Sequence, residues 1–111
     1  MTPLQSAIWQ FLSDRYSGPE SATPRSKIIG AYNAWHQAIL DDRTFRQVAS
    51  DLVIVFKKPI CTSPSMGYFV ANSVDDRDIG VRALKAAGAT FFERARQLEE
   101  TIVVEYQGRL I

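Results

Sequence analysis

The sequence predicts a mainly helical α+β protein, a small helical domain carrying one β-hairpin and continuing into a long C-terminal helix. Three observations predict it. Apolar residues recur at helical spacing in three stretches before residue 57. The segment KKPICTSPSMGYFVAN then reads as strand, Ser/Pro/Gly turn and strand. Beyond it, helical periodicity resumes and lasts for about seven turns. The chain therefore divides into a folded unit over residues 1–72 and a helix with tail over residues 73–111, the latter a self-association element.

The first helix is expected over residues 3–15. Thr2 and Pro3 suit its cap and first position, and Leu4, Ala7, Ile8, Phe11 and Leu12 form its apolar stripe. Trp9 lies off the centre of that stripe. Residues 16–24, YSGPESATP, read as a loop, long for a helical connection. The second helix is expected over residues 25–40, burying Ile28, Ile29, Tyr32, Trp35 and Ile39. Gly30 inside it implies a close helix approach or an early break.

The third helix starts at Asp41 or Asp42, where an acidic cap satisfies orphan backbone donors. Its inward face is Phe45, Val48, Ala49, Leu52 and then Val55 or Phe56, with Lys57-Lys58-Pro59 as the stop. Strands follow over residues 59–62 and 67–71, with Ser63, Pro64 and Ser65 at the tip and Ile60, Tyr68 and Val70 as the inward alternation. Gly67 lets the backbone turn after the tip. Ser73 caps the last helix, with Asp75 and Asp76 in its first turn. Residues 102–106, IVVEY, are open to fraying into a strand or packing on a partner, and the terminal GRLI reads as a loose tail.

Composition narrows the function classes. At 46% hydrophobic and 23% charged residues, the 111-residue chain is an ordinary globular domain rather than a disordered one. No apolar run reaches the roughly 20 residues that span a bilayer, and no secretion signal stands at the N-terminus. An intracellular, cytoplasmic location is expected. One Cys and one His give no zinc-ligand spacing, and no nucleotide-binding or hydrolase motif occurs. Neither a cofactor nor catalysis is expected. Cys61 reads as a small hydrophobe on a strand, and His36 as a partly exposed helix residue.

The net charge is only +1, but it is unevenly spread. Between residues 23 and 68, Arg25, Lys27, Arg43, Arg46, Lys57 and Lys58 face only Asp41, Asp42 and Asp51. A local basic patch is what phosphate contact requires, because affinity follows the phosphates neutralised rather than the overall charge.

The segments SKIIGAYNAW, DDRTFRQVASDL and PICTSPSMGYFVA, in that order, resemble the winged helix-turn-helix DNA-binding domains, in particular the small regulatory proteins of phages and prophages. The resemblance covers roughly residues 26–72, and the helix-to-helix turn departs from the common pattern by lacking a glycine. It implies a third helix lying in the major groove of double-stranded DNA and a hairpin wing against the backbone. Arg43, Thr44, Arg46, Gln47 and Ser50 are then the base-reading candidates, since Arg pairs bidentately with guanine and Gln with adenine. Lys57, Lys58, Thr62, Ser63 and Ser65 are the backbone contacts, joined by Arg25 and Lys27 at the start of the second helix. Pairing with Asp42 or Asp51 is the competing use of Arg43 and Arg46. A winged-helix module that binds protein instead of DNA is the alternative.

The last helix is longer than a three-helix core needs. Ile79, Ala83, Ala87, Phe91, Ala95 and Leu98 form the expected homodimer surface. Phe91 and Phe92, about 100° apart on a helix, cannot both face one core.

Overall fold

The computed structural model describes residues 1–63 and 65–110, with side chains through Glu100. Pro64, expected at the hairpin tip, lies outside the described residues. The order is α1 (Pro3–Arg15), α2 (Arg25–His36), α3 (Asp42–Ile54), β1 (Ile60–Ser63), β2 (Gly67–Val70) and α4 (Val74–Leu110), with a short 3-10 turn at Pro19–Ser21. The protein is mainly helical with one small two-stranded antiparallel sheet.

Local chemistry sets each helix start. Thr2 accepts the Gln5 amide at 3.1 Å while the Gln5 side chain accepts the Thr2 amide at 2.8 Å, a reciprocal capping box ahead of Pro3. Asp41 caps α3 by accepting the Thr44 amide at 2.7 Å. Ser73 accepts the Asp76 amide at 3.1 Å, and the Asp76 carboxylate accepts the amide of Asn72, the residue before the cap, at 3.0 Å.

One core joins α1, α2, α3 and the hairpin. It consists of Ile8, Phe11, Leu12, Ile28, Tyr32, Phe45, Val48, Leu52, Ile60 and Val70. Phe11 meets Tyr32 edge-on at 5.3 Å and Phe45 meets Tyr68 at 5.3 Å. Such pairs add about 0.5–1.5 kcal/mol beyond area burial. Leu4 stays partly outside this core, 38% exposed.

Residues 16–24 are the loop expected there, with a 3-10 turn and two bridges to β2 added. Gly18 donates to the Val70 carbonyl at 2.8 Å and Val70 donates to Tyr16 at 2.7 Å. Thr23 and Tyr68 exchange both backbone bonds, at 3.1 and 2.9 Å. Two bridges, Ser17–Val70 and Thr23–Tyr68, thus occupy the free edge of β2. The length of this connection is explained by the edge it must cover.

α2 ends at His36, four residues short of expectation, because Gln37 turns left-handed at φ 51°. Asn33 then clamps the turn, donating to the Leu40 carbonyl at 3.0 Å and accepting the Leu40 amide at 2.8 Å. This pair stands where a glycine was missed. The break puts Ile39 out of helical phase, and it is 97% exposed. Trp35, also expected inside, is exposed with the Arg15 guanidinium over its ring. Gly30 has open space beside it, so no helix approaches closely there. α3 stops at Ile54 rather than Phe56, leaving Val55 exposed and Lys57 left-handed at φ 56°.

The hairpin pairs Ile60 with Val70, Cys61 with Phe69, Thr62 with Tyr68 and Ser63 with Gly67. Residues directly opposite share a face, so Ile60 and Val70 face the core while Cys61 and Phe69 face the other way. Both faces are buried, where only one was expected. The second is covered by α4, whose Gly80 sits so close that an added Cβ would stand 2.5 Å from Cys61 Sγ. Ser63, placed at the tip by the sequence, ends β1 in a buried position.

α4 touches the rest of the fold through its first turns and then leaves it. Ile79, Ala83 and Ala87 are half-buried, whereas every residue from Gly88 to Glu100 is exposed. At 37 residues the helix is about 55 Å long. It raises the radius of gyration to 18.3 Å, against about 13 Å for a compact chain of about this size. Its backbone stays helical through residues 102–106 and on to Leu110, where a strand or a partner contact and then a loose tail were expected; Ile111, the end of that tail, lies outside the described residues. No helix among the described residues is long and apolar enough to cross a membrane.

Candidate nucleic-acid interface

α3 buries Phe45, Val48, Ala49 and Leu52, so its opposite face is presented outward by the same periodicity. That face carries Arg43, Arg46, Gln47 and Ser50, all exposed, with Thr44 half-buried at its edge. Arg43 makes no ion pair among the described residues. Together with the bond from Thr44, its charge helps hold the Asp41 carboxyl below the ordinary range, the hydrogen bond being the larger cause.

Asp42 is the electrostatic centre of the patch. Its carboxylate pairs with Arg25 from α2 and with Arg46, one turn further along α3, at 3.0 Å. The bond to Asp42, with Tyr68 adding a smaller contribution, pushes the Arg25 guanidinium pKa up. One expected phosphate-binding cation, Arg25, and one expected base-reading cation, Arg46, therefore share one counter-charge. Gln47 is similarly engaged, donating to Asp51 at 3.1 Å.

Arg25, Ser26, Asp42, Ser65 and Tyr68 line one polar cleft of about 300 Å³ between the α2 start and the hairpin turn. Ser63 contributes there through a structural bond set. Its hydroxyl accepts the amides of Ser65 at 3.2 Å and Met66 at 3.0 Å, and shares a bond with the Ser65 hydroxyl. Ser65 itself is exposed. Lys27 is exposed on the first turn of α2.

Lys57 and Lys58 belong to a different end. They follow the last turn of α3, about 20 Å along the helix from Asp42. Lys58 reaches over the Trp9 ring at 5.1 Å, so the off-stripe tryptophan of α1 is its seat. Arg25, Arg46, Ser63 and Ser65 thus gather around Asp42, Ser50 and Thr62 border a second groove with Arg46, and Lys57 and Lys58 lie at the far end of α3.

Sequence reading missed the apolar half of this face. Val53 and Ile54 are 38% and 65% exposed, and with Leu84 of α4 they line a groove of about 340 Å³ that also includes Arg46, Ser50 and Thr62. The signal was present as consecutive apolar residues, too many for one stripe to absorb. No protein-family model, curated protein or solved structure matches this chain.

Proposed function

We propose that this is a non-catalytic DNA-binding protein of the winged-helix type, a regulator of transcriptional or phage-like character. The observation that carries the reading is the polar outward face of α3, with Arg43, Arg46, Gln47 and Ser50 beside a hairpin whose turn carries Ser65. The order of elements supports it. α3 runs straight into a two-stranded hairpin, the layout that the winged-helix resemblance implies. In this reading α3 enters the major groove, Arg43 and Arg46 address guanines, and Ser65, Arg25 and Lys27 hold phosphates.

A second reading has its own observation. The groove between Val53, Ile54 and Leu84 suits an apolar segment of another protein, which makes the same face a protein-docking module. Salt separates the two. Binding of random and genomic duplexes is measured at low and moderate salt, with Arg43→Ala/Arg46→Ala in parallel. The DNA reading expects affinity to fall steeply with salt and the double variant to lose at least about tenfold. Absence of binding at low salt removes it in favour of protein docking.

A further inference from the structure

We infer that α4 pairs with α4 of a second copy, antiparallel, about a twofold axis between Ala89 and Thr90. Along the outward side of this helix run Val81, Leu84, Gly88, Phe91, Ala95 and Leu98, spaced 3, 4, 3, 4 and 3 residues apart. That is an unbroken a/d seam. It overlaps the face that carries Gly80, Ala83 and Ala87, with Leu84 at its head end also bordering the groove against Val53 and Ile54, and from Gly88 onward it leaves the fold and stands exposed. Val81 is 39% exposed, Leu84 53%, Phe91 60% and Leu98 61%. Gly88 has open space where a side chain would stand.

Size along the seam selects the occupant and its direction. The a positions are Val81, Gly88 and Ala95, all small, and the d positions are Leu84, Phe91 and Leu98, all large. In a parallel pair, like layers meet like, so Gly88 would face Gly88 and Phe91 would face Phe91. In an antiparallel pair each a residue meets a d residue of the other helix. Val81 then meets the partner's Leu98, Leu84 the partner's Ala95, and Gly88 the partner's Phe91. All six residues are used and every layer combines large with small. A second copy of this chain supplies that matching set by symmetry. The exposed area also calls for cover. Phe91 and its neighbour Phe92, 60% and 75% exposed, leave on the order of 300 Å² of ring surface, close to the whole apolar patch of an ordinary monomer.

This inference is independent of DNA binding. Sedimentation of the full chain at tens of micromolar is expected to give twice the monomer mass. Gly88→Leu tests the seam without harming the monomer, because leucine favours helix over glycine and has room there. It is expected to weaken association by about tenfold or more, through the site of the partner's Phe91, while the melting temperature at low concentration holds or rises. Direction is read by oxidising an equimolar mixture of Leu84→Cys and Ala95→Cys chains. Antiparallel pairing links the two variants to each other and neither to itself. A strict monomer, a dimer indifferent to Gly88→Leu, or self-linked Leu84→Cys dimers overturns the inference.

Discussion

At the scale of single residues, Asp42 decides how much of the basic cluster is available to a ligand. It holds Arg25 and Arg46 at once, and all three side chains are substantially exposed. Exposed pairs of this kind contribute only about 0–1 kcal/mol each, so the carboxylate matters more for local potential than for stability. Asp42→Asn is expected to leave the fold intact, strengthen duplex binding several-fold and steepen its salt dependence by about one phosphate equivalent, checked by salt titration. A weaker complex would show that Asp42 orients the arginines productively.

Asp41 makes a different prediction. Its folded pKa is depressed by the Thr44 bond, so the stabilisation is fully present above the unfolded carboxylate pKa and is lost as pH falls through the lower folded value. Thermal melting of wild type and Asp41→Asn, compared from neutral pH down an acid series, should draw together as pH falls through the depressed folded value. Asparagine caps without titrating. A gap that persists at low pH would mean that the cap does not depend on the charge.

At the scale of elements, the attachment of α4 turns on one close approach. A Cβ on Gly80 would stand 2.5 Å from Cys61 Sγ and 2.7 Å from Cys61 Cβ, with Gly80 buried. Gly80→Ala must therefore lift the helix off β1 or displace the strand, at a cost of about 1–3 kcal/mol. Cys61 reports the event independently. Burial, with Asp76 adding to it, pushes its thiol pKa up, so it should resist alkylation in the native protein and react faster in the Gly80→Ala variant. Equal reactivity in both would mean that the helix had not moved.

The elements also show what the sequence made legible. α1 and the inward face of α3 followed from caps and periodicity, because those signals act within a single turn. The end of α2 did not. Its stop depends on Asn33 reaching Leu40, seven residues away, and on Gln37 adopting a left-handed backbone without glycine. The edge pairing of residues 16–24 and the second buried face of the hairpin were hidden for the same reason, since the edge bridges span 45 residues or more and Gly80 lies 19 residues beyond the Cys61 it covers. In the candidate site the residue types and the outward face of α3 were legible. The binding of Arg25 to Asp42, seventeen positions apart, was not, nor was the placement of Lys58 on Trp9.

At the scale of the molecule, a compact head and a projecting helix behave as separable parts. The head owns the core, and residues 88–100 of α4 contribute no buried side chain to it. Ending the chain after Ala87 is expected to keep the melting temperature of the head within a few degrees and to abolish association in the same sample. Collapse of the head would show that the distal helix stabilises it through contacts not made within one chain.

An uninterrupted helix is also a ruler. In the proposed antiparallel pair, Gly80 of one copy would lie level with the partner's Glu99, so the two attachment points would stand roughly 28 Å apart along the axis. Two heads mounted on one straight rod at that pitch are neither adjacent nor independent. Their separation is fixed by residue count, and one added heptad would lengthen it by about 10 Å without disturbing the phase of the seam.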